Sequence, residues 1–289
     1  MKRDSTVPAY PKRRSRTIYL LPNLFTTSAL LSGFYSIIAA YNGAYKVAAI
    51  AIIVSMVLDG FDGRVARMTN TATPFGAEYD SMADMVSFGV APAFLVYTWS
   101  LSGVDQATFG QLGWMLAFVH AACCGLRLAR FNVAVGTADK RFFQGLASPA
   151  AAAILAGMVW VAENRGFVGT DMRTFVGIAT VTTGLLMVSN LTYYSFKDIG
   201  GIKRVPFAML AVFVLLLAVT AVDPAMMILL GFSAYAASGP VWYGWHLLRK
   251  RRRQAGQPDD DVASADSVRE GRGAQEKPVG TGQREKGGQ

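Results

Sequence analysis

Charge is scarce in this chain: Lys, Arg, Asp and Glu make up 16% of its 289 residues, against 52% apolar. Several uncharged runs exceed the ~18 residues that a bilayer-spanning helix needs. A soluble globular domain is excluded, and a polytopic membrane protein is expected. Cysteine and histidine are scarcer still. The two cysteines, Cys123 and Cys124, are neighbours, where a bridge would be strained and a metal would lack further ligands. They read as packing residues. His120 and His246 stand far apart without a ligand partner at helical spacing, so neither is given a chemical role.

What is present in abundance is apolar sequence. Eight spans are expected, at 18–41, 45–67, 80–101, 109–132, 146–163, 173–196, 206–221 and 224–248, the last two parted by the Val222-Asp223-Pro224 turn signal. The fold class is therefore all-α, a polytopic membrane helix bundle. With the N-terminus inside, the cytoplasmic segments hold Lys2 to Arg16, Arg64, Arg67, Arg127, Arg130, Lys140, Arg141, Lys197, Lys203, Arg204 and Arg249 to Arg253. The opposite side holds only Lys46, Arg165 and Arg173. Positive charge is retained on the cytoplasmic side, so both termini are expected there. The net charge of +9 is then topological, and nucleic acid is not an expected partner. Residues 1–16 form a basic cytoplasmic arm before an uncleaved first helix. Residues 17–250 form one transmembrane domain without internal repeats. From 251 to 289 apolar residues nearly vanish, and a disordered tail is expected.

Against this background "DGFDGRVAR", Asp59 to Arg67, stands out, followed one short loop later by Asp80 and Asp84. Carboxylates at a membrane edge are costly, about 2.5 to 3.5 kcal/mol each, and usually face a polar cavity. At 100° per residue Asp59, Asp62, Gly63 and Ala66 share a stripe, as do Gly76, Asp80, Asp84, Ser87 and Ala91 on the next span. Joined by a short loop, the two stripes can face each other. Four converging acids repel and require cations. All-oxygen ligation suits Mg²⁺, Mn²⁺ or Ca²⁺, and a pair of such ions suits displacement at phosphorus. Gly60, Gly63 and Ala66 leave room for a bulky ligand, and Arg67 can hold a phosphate. Helix-end ion pairing does not account for four acids with two arginines, Arg64 and Arg67. A cation transporter is the alternative from another class, although transporters tend to place charge near the midplane in repeated halves.

The pattern Asp59-x-x-Asp62-Gly63-x-x-Ala66-Arg67, with Gly76-x-x-x-Asp80-x-x-x-Asp84 eight residues on, resembles the signature of the CDP-alcohol phosphotransferases. The resemblance implies an integral membrane enzyme, commonly dimeric, that cleaves a CDP-alcohol with a divalent metal, Mg²⁺ or Mn²⁺, and releases CMP. It implies two ions, one held by Asp59, Asp62 and Asp80 and one by Asp59, Asp80 and Asp84, with Asp84 also the general base. It places Gly63, Arg67 and Thr73 against the CDP moiety, with Pro22, Asn23 and Thr26 of "LPNLFT" lining the same site. "DSMADMVSFGVAP", "LRLARFNV" and "FFQGLASPAAA" are similar to family members that use CDP-diacylglycerol and L-serine. Serine's carboxylate calls for a cation, and Arg127, Arg130, Asn132 and Lys140, together with Ser87, are the candidate contacts. Glycerol 3-phosphate, inositol phosphate and choline remain open as acceptors at this point. A bacterial inner membrane is the expected setting.

Overall fold

The computed structural model describes residues 20–69, 73–102, 110–134, 142–194 and 222–255. These form seven helices and one short ribbon: α1 Leu20–Tyr41, α2 Tyr45–Thr69, α3 Pro74–Leu101, α4 Gly110–Ala134, β1 Phe142–Gln144, α5 Ser148–Asn164, α6 Arg173–Val188, β2 Thr192–Tyr194 and α7 Pro224–Ala255. They fall in two compact units that divide after Val241. In the second, the Arg249 guanidinium lies 3.5 Å over the Trp245 ring.

Turn chemistry sets the first hairpin. Gly43 adopts φ 75° after α1, its N–H reaches Ala40 O at 3.1 Å, and Ala44 N–H reaches Ala39 O at 2.9 Å. That pair of bonds closes a helix end with glycine in the left-handed position. Small residues then let α1 and α2 approach closely. Ser55 Oγ donates to Ala29 O at 2.7 Å and Ser32 Oγ to Ala51 O at 2.8 Å, uniting backbones where no water competes. Alanine-rich α5 is buried along Ala150–Val159, as expected of a helix apolar on every side. Its Leu155, Ala156 and Val159 pack with Ile52 of α2 and Phe88, Leu95 and Val96 of α3.

The third helix is not uniform. Two turns, Met85–Val90 and Tyr97–Leu101, are π-helical. The first has a local cause in Pro92, which has no N–H and whose ring collides with the carbonyl four residues back. Ala91 N–H accordingly reaches Val86 O, five residues away.

Among the described residues four helices are long and apolar enough to cross a membrane: Asn23–Tyr41, Pro74–Leu101, Leu112–Val133 and Pro224–Trp245. Helix α2 has the length but carries Lys46, Asp59 and Asp62, whereas α5 and α6 are shorter. The expected seventh span, 206–221, lies outside the described residues, so the count of eight is not reached. Three boundaries also differ: α7 runs on to Ala255 rather than ending at 248, into the start of the expected disordered tail, and the other two lie at α3 and α6. Helix α3 starts at Pro74 rather than at 80, because Thr73 caps it: Thr73 Oγ1 accepts from Gly76 N–H at 3.0 Å, with Pro74 in the first turn. Helix α6 ends at Val188 rather than at 196. Ser189 turns extended, and 192–194 pair antiparallel with 142–144, Phe142 opposite Tyr194 and Gln144 opposite Thr192. Gly145, φ 81°, lets this ribbon meet the end of α6, where a Cβ would run into Met187 O.

Candidate active site

Capped by Thr73, α3 carries Asp80 and Asp84 on one face, four residues apart. Helix α2 presents Asp59 to that face. Carboxylate oxygens of Asp59, Asp80 and Asp84 all lie within 4.8 Å of one another. Three partly buried acids at such separations repel, and a hard cation among their oxygens is the direct compensation. The donor set is all oxygen, as Mg²⁺, Mn²⁺ or Ca²⁺ requires.

Asp62 lies outside this group of three, within electrostatic reach of Asp59 and Asp80. It is 6% exposed and accepts a hydrogen bond from Thr26 Oγ1 of α1, itself 3% exposed. The start of α1 is fastened here a second time, as Thr27 Oγ1 lies 3.0 Å from Tyr79 Oη. Around Gly76, an added Cβ would sit 3.2 Å from Thr73 Oγ1 and 3.8 Å from Asn23 Oδ1. Asn23, Thr26 and Thr73 thus gather at the aspartate end. At Gly60 and Gly63 an added Cβ would meet nothing within 4 Å, which leaves α2 open beside Asp59. The side chains of Pro22, Arg67 and Ala66, and all of Lys140, lie outside what the structure describes.

Basic residues of α4 take separate places. Arg127 is set within electrostatic reach of Asp84 and donates from Nη1 to Ser148 Oγ at 2.8 Å. Its Nε is one of three buried side-chain polar atoms among the described residues without a hydrogen-bond partner. Arg130 is tied to the ribbon instead, donating to Gln144 Oε1, to Asn190 Oδ1 at 2.9 Å and to Val188 O at 3.4 Å. Asn132 is engaged with α3, its Nδ2 3.1 Å from Ser81 Oγ and 3.4 Å from Glu78 Oε2. Ser87 is not in the open part of the site. It is 1% exposed, donates to Ala29 O at 3.3 Å and packs on Gly33. No local sequence pattern marks Gln144, Asn190 and Ser148; proximity in space alone brings them to the arginines.

Paired acids on two adjoining helices define a class of membrane enzyme. Residues 19–189 match the CDP-alcohol phosphatidyltransferase family, and the chain belongs to it. The chain is 39% identical over 183 residues to the CDP-diacylglycerol–serine O-phosphatidyltransferase of Helicobacter pylori, covering 63% of this chain and 75% of the relative. It is 30% identical over 233 residues to the enzyme of that name from Mycobacterium tuberculosis, covering 79% of each. An archaetidylserine synthase of Methanothermobacter thermautotrophicus is 32% identical over 182 residues, covering 62% of this chain and 72% of the relative. The apolar helices and the family together make this an integral membrane protein. The family depends on divalent metal, and Asp59, Asp80 and Asp84 are a group able to bind it.

Proposed function

We propose that the chain transfers the phosphatidyl group of CDP-diacylglycerol to the hydroxyl of L-serine, giving phosphatidylserine and CMP. The convergence of Asp59, Asp80 and Asp84 within 4.8 Å carries the reading, and the names of the relatives carry the acceptor. Two divalent ions, Mg²⁺ or Mn²⁺, would be held by Asp59, Asp62 and Asp80 and by Asp59, Asp80 and Asp84. When bound they would supply charge stabilisation on the pyrophosphate.

The chain's own residues do the rest. Pro22, Asn23, Thr26, Gly63, Arg67 and Thr73 receive the CDP moiety, and the open face of Gly60 and Gly63 admits it against backbone. Arg127, whose Nε has no partner, orients serine's carboxylate, and Arg130, Asn132 and Lys140 are its further contacts. Asp84 takes the hydroxyl proton as the serine oxygen attacks the phosphorus bearing diacylglycerol. The new P–O bond forms as the bond to CMP breaks, and CMP leaves with the electron pair. One displacement inverts that phosphorus. Phosphatidylserine made from substrate chirally labelled there should be inverted, and retention would require a phosphoenzyme.

Around this site we infer a homodimer with eight spans, both termini and the aspartate end cytoplasmic, in a bacterial inner membrane. The segment 1–16 is a basic arm, 17–250 the catalytic domain and 251–289 a tail without catalytic role. The deciding measurement is CMP release from CDP-diacylglycerol by purified protein with Mg²⁺ and one alcohol at a time. L-Serine should support release, and Asp84→Asn should lower it about 10²- to 10⁴-fold, the range for loss of a general base. Release with glycerol 3-phosphate, inositol phosphate or choline instead would replace the acceptor. Release with none would reopen the transporter reading.

A further inference from the structure

His120 is the one fully buried imidazole among the described residues, 0% exposed in the middle of α4. Its Nε2 lies 3.2 Å from Phe88 O and its Nδ1 3.3 Å from Thr183 Oγ1. A carbonyl can only accept, so Nε2 carries the hydrogen in the bond to Phe88 O. The Thr183 hydroxyl beside Nδ1 also lies 2.9 Å from Ala179 O and 3.0 Å from Thr180 O, and its single hydrogen serves one of the three. The identity of the acceptor is the informative part. In an α-helix Phe88 O would receive the N–H of residue 92, which is Pro92 and has none. Phe88 lies in the π-helical turn Met85–Val90, which follows directly on Asp84. The imidazole therefore supplies, from a neighbouring helix, a donor that the proline withdraws.

Packing on both sides holds this turn at one setting. Gly89 faces Cys124, where an added Cβ would lie 3.2 Å from Cys124 Cβ, and Gly184 of α6 comes so close that its Cβ would lie 3.3 Å from His120 Cα. On the opposite side a Cβ on Gly33 would lie 2.8 Å from Ser87 Cα. A wide turn clamped in this way fixes how the helix below it is rotated, and the residues there are Asp80 and Asp84. Buried polar groups in such a place are expensive to leave unpaired, and π turns concentrate at functional sites.

We infer that His120 is a positioning residue for the acidic site: its hydrogen bond to Phe88 O locks the π turn that aims Asp84 and Asp80 at Asp59. The inference rests on the phosphatidyl-transfer reading for its activity assay but not for its metal readout. His120→Leu keeps volume and removes the donor, and His120→Gln restores an N–H close to where Nε2 stands. In detergent, His120→Leu should lower kcat about 10- to 100-fold, as misplacement of reacting groups does. KM for CDP-diacylglycerol and serine should hold, and the Mn²⁺ concentration that half-saturates binding, read by electron paramagnetic resonance without substrate, should rise. His120→Gln should recover both. If the leucine variant does not fold, His120→Asn, whose donor reaches only the Nδ1 position, should be impaired where Gln is not. Wild-type kcat and Mn²⁺ binding in His120→Leu, or equal behaviour of the Gln and Asn variants, would overturn the role. A wild-type protein that binds Mn²⁺ but releases no CMP would instead overturn the phosphatidyl-transfer reading, leaving the positioning role to the Mn²⁺ measurement.

Discussion

At the scale of the residue, chemistry is concentrated in groups whose partners are few. Arg127 places one guanidinium nitrogen on Ser148 and keeps Nε buried and unpartnered near Asp84. A lysine offers a point charge and cannot serve two directions at fixed geometry. Arg127→Lys should therefore raise KM for serine roughly tenfold, a loss of about 1.4 kcal/mol, with KM for CDP-diacylglycerol unchanged, as steady-state CMP release would show. An equal rise in both constants would move Arg127 from the acceptor to the shared phosphate. The acids themselves were legible in the sequence, because spacings of three and four residues place side chains on one helix face whatever surrounds them. The hold of Thr26 on Asp62 belongs to a third helix 36 residues earlier, and no local pattern encodes it. Ser87 shows the opposite failure: its phase on α3 suits the site, yet Gly33 allows α1 to close over it.

At the scale of the element, glycines separate architecture from ligand space. Gly33→Ala forces a Cβ against Ser87 and should cost about 1–3 kcal/mol, the range for overpacking, seen as a lower melting temperature in detergent. Gly63→Ala adds its methyl to open space. Its melting temperature should match wild type while KM for CDP-diacylglycerol rises, which assigns that space to the substrate; unchanged kinetics would leave it to solvent. Helix periodicity and apolar length made most elements readable. The ribbon was not, since "LTYYSF" after α6 is apolar enough to extend a helix. Pairing of 192–194 with 142–144 makes strand there. The π turns are hidden for a related reason. Pro92 signals a defect in α3, but whether a proline yields a kink or a widened turn depends on what donor waits beside the freed carbonyl.

Across the whole molecule, metal and fold are linked through the two helices that supply the acids. Chelation of the purified protein should abolish CMP release, and Mg²⁺ or Mn²⁺ should restore it. Mg²⁺ should also raise the melting temperature of wild type but not of Asp59→Asn, since a ligand that binds only the folded state stabilises it by mass action. A shift that survives in Asp59→Asn would place the ion elsewhere. The expected orientation rests on the distribution of Lys and Arg and the family on a spaced signature, neither of which depends on packing. The π turn at Met85–Val90 adds a constraint of a different kind, on chain length. A π turn holds one residue more than the α-helical turn it replaces, and an α-helix advances by about 100° per residue. A one-residue deletion inside Met85–Val90 would therefore be absorbed by rewinding the turn to α, whereas a one-residue insertion there would not be absorbed. With the deletion Ala91–Leu101 would keep its phase relative to the aspartates; with the insertion it would swing by about that angle, and either the core or the site would lose its register. Substitutions in this stretch can be graded by size, whereas changes in its residue count cannot be graded at all.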